Sequence, residues 1–214
     1  MSEVFILYAI PAGILAGFLL GGRLQGLSTL QFRWAWVFLL GLAVQLVLFS
    51  DFVTERIGES GVPIYVGSTL AVAAVIAMNL RIRGMPIVLL GAVSNLAAII
   101  ANGGYMPASV EAMQSLGKSV KGGYSNSSFV PDPALPWLTD IFALPSWLPF
   151  SNVFSVGDIL IGLGVVVVIA WAMRSPVSPT GDAPATRPAT GPPASLTAPN
   201  GPTGDPAAPD SSAA

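Results

Sequence analysis

Five apolar runs organise this chain: Val4–Leu20, Trp34–Phe49, Val62–Leu80, Met85–Ala101 and Val156–Met173. None contains Lys, Arg, Glu or His, and Asp158 is the only acid inside one. A bilayer-crossing helix takes ~20 apolar residues, with a range of about 17–25. The runs sit at the short end of that range. The chain as a whole is 53% hydrophobic and 9% charged, with a mean hydropathy of +0.71. A soluble domain carries about 25% charged residues. This chain has too few polar groups to solvate a globular surface, so the spans are expected to lie in lipid. Lipid leaves helices as their form, because it offers no partner to a free N–H or C=O.

The fold class expected is an all-α integral membrane protein. It is a bundle of about five transmembrane helices with a long outer loop (short amphipathic or re-entrant helices) and a disordered C-terminal tail. The transmembrane domain covers 1–174 and the tail 175–214. The tail is rich in Pro, Ala, Gly, Ser and Thr and has no aromatic residue. It cannot bury enough apolar surface to offset chain entropy. The first run lacks a basic leader, Glu3 being its only early charge. It reads as a retained span rather than a signal peptide.

The chain has no Cys and no His. That removes disulfides, thiolate metal sites, His-dependent triads and the commonest zinc ligands. No metal site and no cofactor is expected. The net charge is −2, with no basic patch for nucleic acid. The lipid bilayer is the partner that composition does imply.

Arg23 and Arg33 lie in the first gap, Arg81 and Arg83 in the third, and Arg174 follows the last run. Short Arg-rich loops stay in the cytoplasm. The N-terminus is therefore expected outside the cytoplasmic membrane and the C-terminus inside. The second gap holds Asp51, Glu55 and Glu59 against Arg56, and falls outside with the long fourth gap.

Gly13, Gly17 and Gly21 share one face of the first span. Such a face lets another helix approach closely, either in a homodimer or within the chain. Gln45, Asn79, Ser94 and Asn95 are polar residues within spans and are expected to hydrogen-bond between helices, a solute path being the alternative. Pro11 and Pro63 fall near the outer span ends, and Pro86 opens the fourth run.

The outer side carries the candidate site. Asn102-Gly103-Gly104-Tyr105-Met106-Pro107 ends the fourth run with helix-stop residues and a sharp turn. Asn102 is either a helix terminator or a hydrogen-bonding group in a cavity. Ser109–Leu116 reads as a short helix with Glu111 in its first turn. Ala134–Phe150 is apolar but broken by three prolines, and reads as interfacial or re-entrant, with Trp137 and Trp147 at headgroup level. Ser155 is placed to cap the last span with Asp158 three residues on, a capping box with Asp for Glu. A carboxylate one turn inside a span is also a functional candidate by default. Asp140 lies eighteen positions earlier. If the intervening hairpin folds back, the two acids can form a general acid–base pair for amide hydrolysis. The candidate catalytic residues are thus Asp140 and Asp158. The candidate binding residues are Asn102, Gly103, Gly104, Tyr105 and Ser155.

Two resemblances follow from these motifs. Gly21-Gly22-Arg23-Leu24, Asn102–Pro107 and Ser155-Val156-Gly157-Asp158 resemble a bacterial family of multi-pass membrane proteins known as a domain of unknown function. The resemblance implies a membrane protein and no activity. Locally, Leu138–Ile169 resembles the C-terminal part of lipoprotein signal peptidase, an intramembrane aspartyl protease. That likeness implies Asp140 and Asp158 as its two catalytic acids. Ser155 stands for the Asn of the family's second motif and Gly157 for its Ala, and the family's early Lys has no counterpart here. On this reading Asn102 orients substrate or oxyanion. The leading reading remains non-catalytic: binding, assembly or small-solute passage.

Overall fold

A computed structural model of the protein describes residues 4–57, 60–117, 127–128 and 130–176. The tail beyond 176, Lys118, Lys121, Gly122, Gly123, Glu3 and Glu59 lie outside the described residues. The apolar runs form helices within two residues of their expected ends. These are α1 (Val4–Leu19), α2 (Ala35–Leu48), α4 (Gly61–Met78), α5 (Met85–Ala101) and α7 (Val156–Met173). Two shorter helices join them: α3 (Asp51–Ile57) in the second gap, and α6 (Val110–Ser115) in the fourth. α4 and α7 are long and apolar enough to cross a membrane, whereas α1, α2 and α5 are shorter apolar helices. Pro11 sits inside α1 rather than in its first turn, so one turn of that helix lacks a backbone donor.

α7 lies between α1 and α5; α5 packs on α4, and α4 on α2. Small residues set the closest approaches. Gly84, the N-cap of α5, and Gly91 within it face Gly164 and Gly157 of α7, in antiparallel order. A Cβ at Gly84 would stand 2.6 Å from the Gly164 carbonyl oxygen, and one at Gly91 would collide with that of Gly157. Both pairs are seven residues apart, two helical turns, so they line one seam. On the other side of α7, Gly13 meets Ile169 and Gly17 meets Met173, in parallel order. Two of the three aligned glycines are thus occupied within the chain. Gly21 instead turns the backbone after α1 at φ +78°, with open space where a Cβ would stand. α2 and α4 are antiparallel: Gly41 abuts Val72, and Gln45 donates to the hydroxyls of Ser68 and Thr69, both at 3.2 Å.

The core fills in two stretches along the bundle. Leu48, Tyr65, Ala98, Ile99 and Met106 form one; Ile76, Met85, Val88, Ala92 and Val168 form the other. Large apolar side chains remain exposed on every long helix, among them Leu15, Leu39, Leu46, Leu70, Leu90 and Leu163.

Two asparagines fasten the connections. Asn79, the C-cap of α4, accepts the Arg33 N–H at 2.8 Å. Its amide donates to the Arg33 carbonyl at 2.9 Å and to Val75, one turn back, at 2.7 Å. Asn102, the C-cap of α5, repeats this with Ala134. It accepts the Ala134 N–H at 2.8 Å and donates to the Ala134 carbonyl at 2.9 Å and to Ala98 at 2.7 Å. In each case the next residue, Trp34 or Leu135, is left-handed (φ +61° and +53°) and starts a helical turn. Bulky residues rarely adopt that conformation unless their surroundings impose it.

The long loop forms a cap over one end of the bundle. Gly103 and Gly104 take φ +71° and +94°, and the Gly104 N–H closes on the Ile99 carbonyl at 2.8 Å, a Schellman-type ending. β1 (Met106–Pro107) pairs in parallel with β2 (Ser127–Ser128), and β3 (Phe142–Ala143) pairs antiparallel with β4 (Val153–Phe154). The segment Ala134–Phe150, expected to be interfacial or re-entrant, folds as a short 3-10 turn, Pro136–Leu138, followed by β3. Its three prolines cannot donate, so a continuous helix fails there and a hairpin forms. The hairpin tip exposes Trp147 and Phe150, and Tyr8 of α1 donates its hydroxyl to the Pro149 carbonyl.

Candidate functional site

Ser155 caps α7 as its sequence suggests. The Asp158 N–H donates to Ser155 Oγ at 3.1 Å, and the Ser155 N–H donates to Asp158 Oδ2 at 2.9 Å. Both halves of the capping box are present. The third member comes from α5. Asn95 Nδ2 donates to Asp158 Oδ1 at 2.8 Å, and its Oδ1 lies 2.8 Å from Ser155 Oγ. Ser155 Oγ is also 3.0 Å from Asp158 Oδ2, so its single proton serves one acceptor or the other. Ser155 is fully buried and Asp158 is 2% exposed. The three side chains close a ring that holds the start of α7 against the middle of α5.

Glycine makes this ring fit. A Cβ at Gly157 would collide with Asn95 Oδ1 and stand 2.8 Å from the Gly91 carbonyl oxygen. The seam therefore brings the backbones close enough for an Asn side chain to span to the cap. Sequence reading named Asn95 and Asp158 separately and did not pair them. The available signal was Gly91, one turn before Asn95, and Gly157, next to Asp158. Ser94 was expected to bond between helices. Its hydroxyl oxygen is buried and has no hydrogen-bond partner among the described residues.

Asp140 is fully buried in the cap, two residues before β3, whose Phe142 pairs with Phe154 just ahead of α7. Its N–H donates to the Pro107 carbonyl and its carbonyl accepts the Ser109 N–H, both at 2.9 Å. It thereby stitches the strand after α5 to the chain before β3, bridging to Ala108. Among the described residues, Asp158 makes no hydrogen bond to Asp140; its carboxylate is engaged by Ser155 and Asn95. Asn102 acts as a helix terminator and also grips the returning loop. Gly104 is buried against Val62, and Tyr105 packs on the core that contains Tyr65 and Ala98. Asn102, Gly103, Gly104 and Tyr105 therefore form the base of the cap, and Ser155 the ring. Among the described residues, no group of three or more His, Cys, Asp or Glu could hold a metal.

No curated protein and no solved structure matches this chain. A family model does match, over residues 29–170, which takes in α2 through most of α7 and both the ring and the cap. The chain belongs to that family, DUF5317, a family of unknown function.

Proposed function

We propose that the chain is a five-pass membrane protein with its N-terminus outside and its C-terminus in the cytoplasm. Its capped outer end serves binding or assembly and not catalysis. Two features support the five-pass reading. Neighbouring helices alternate in direction wherever alternation of sides requires it: α5 against α7, α2 against α4, and α1 alongside α7. The exposed leucines around the bundle also need an apolar solvent. α2 has 14 residues and is about 21 Å long, shorter than the ~30 Å hydrocarbon layer. Local bilayer thinning and the flanking Trp34 and Phe49 accommodate that mismatch.

The observation that carries the non-catalytic reading is the closed ring. Asp158 spends its carboxylate on Ser155 and Asn95, inside the seam. Gln45, Asn79 and Asn95 likewise bond to neighbouring elements, which supports packing over a solute path.

Replacing Asp158 tests this. Asp158→Ala leaves the Asn95 amide and the Ser155 N–H without partners, so stability in detergent should fall by about 1–3 kcal/mol. Asp140→Ala keeps the backbone bonds to Pro107 and Ser109, so the cap and the α5–α7 seam should both stay assembled. A hydrolase predicts the reverse pattern: conservative Asn replacements of either acid would abolish cleavage of a membrane-tethered peptide with thermal stability unchanged. A cytoplasm-dependent reporter fused at the C-terminus should be active, and a silent one would invert the topology.

A further inference from the structure

We propose that the arginine-bearing end of the bundle binds the phosphate headgroup of an anionic phospholipid between Arg23 and Arg174. The inference rests on the membrane reading above. A cavity of about 650 Å³ lies beside the last turn of α7, lined by Arg23, Gln25, Gly26, Arg174 and Ser175 among others. A second, of about 240 Å³, lies on the other flank of that turn, lined by Arg81, Arg83 and Trp171 among others. Ser175 borders both. Four guanidinium groups thus surround one helix end.

Among the described residues, none of the four forms an ion pair with a carboxylate. Asp158 stands at the opposite end of α7, sixteen residues from Arg174 and about 24 Å away at the helical rise. A helix C-terminus would itself repel an anion, but its last carbonyls are already engaged. Met173 accepts the Arg23 N–H at 2.7 Å, Ala172 that of Ser175 at 2.9 Å, and Trp171 that of Arg174 at 3.0 Å. The charge left at this end is positive. Arg83 lies 3.7 Å over the Trp171 ring and Arg174 5.6 Å from it, so both forks are oriented by an aromatic face. An oriented guanidinium suits the bidentate geometry of phosphate.

The walls favour a lipid phosphate over a free one. Leu19, Leu20 and Leu24, beside the larger cavity in the chain, are 79%, 57% and 51% exposed. They offer acyl chains an apolar surface directly below the headgroup. Basic pockets between membrane helices on the cytoplasmic side take anionic headgroups on this principle.

The test uses the full-length protein in mixed micelles, with bound phosphatidylglycerol and phosphatidylcholine counted by native mass spectrometry. Wild type should retain phosphatidylglycerol preferentially. The Arg23→Gln/Arg174→Gln variant should bind it about 30-fold more weakly, since each basic group near an anionic surface contributes about fivefold. Arg33→Gln removes the same kind of charge from outside both cavities and should change binding by less than about twofold. If the double variant fails to fold, Arg174→Gln alone, at an exposed C-cap, carries the test with a loss of about fivefold. Equal retention of the two lipids overturns the proposal. So does an equal loss in Arg33→Gln, which would mean diffuse surface charge. Displacement of the lipid by millimolar inorganic phosphate would overturn it in favour of a free-anion site. The micelle measurement does not depend on orientation, so a reversed topology would break the functional reading without touching this result.

Discussion

Asn79 and Asn102 end successive helices and grip distant backbone with the same three bonds, yet Asn79 is 3% exposed while Asn102 is only partly buried. Each holds a residue in both directions, as a strand neighbour would, and each is followed by a bulky left-handed residue. What differs is the load. Asn79 ties the turn before α2 to the end of α4, two elements of the bundle itself. Asn102 ties the end of α5 to the cap. The same device therefore serves helix packing at one end and loop placement at the other.

Removing each grip should separate these roles. Asn79→Ala removes a buried side chain that holds both backbone groups of Arg33 and should destabilise the whole bundle by about 3 kcal/mol, read as a lower thermal midpoint in detergent. Asn102→Ala should cost about 1–2 kcal/mol. Its loss should show as faster amide exchange at 103–108 and 134–140, with α4 and α7 still protected. Global loss of protection would make the two grips equivalent and end the distinction. A subtler test asks whether the grip imposes the strain at Leu135. In a cycle of Asn102→Ala with Leu135→Gly, the coupling should be about 0.5–1 kcal/mol. Strict additivity would mean that Leu135 is left-handed for another reason.

The smallest effect lies in the cap's own helix. Ser109 donates to Glu111 at 2.6 Å, and this bond holds the Glu111 carboxyl below its ordinary value of 4.5. A depressed acid contributes stability above its unfolded value, lost as pH falls through its folded value. Exchange in α6 should therefore rise modestly as pH drops below 4.5, and Glu111→Gln should flatten that response. Glu111 is fully exposed, so solvent screens the contribution. α4 should show no parallel change, which keeps the comparison between bundle and cap intact.

Much of the bundle was legible because apolar runs without charges mark helices directly. The turn at Asn102-Gly103-Gly104 and the box at Ser155 and Asp158 were legible because capping uses specific side chains at fixed spacing. The partners of the two asparagines were not. Arg33 and Ala134 take part through backbone, and backbone carries no signature in sequence. The strands of the cap are two residues long, too short for alternation to show, and α3 in the acidic second gap went unanticipated. Asn95 and Asp158 are 63 residues apart, and only the glycine seam between them reveals why they meet.

The place of α7 between α1 and α5 has a consequence for biogenesis. Gly13 fills its notch with Ile169, so α1 receives its main neighbour only after about 150 further residues, or roughly 8–30 s of synthesis. Until then the glycine notches of α1 and α5 stand open. The protein is completed like an arch closed by its last stone, and a ribosome stalled before residue 156 leaves two unfinished halves rather than a smaller bundle.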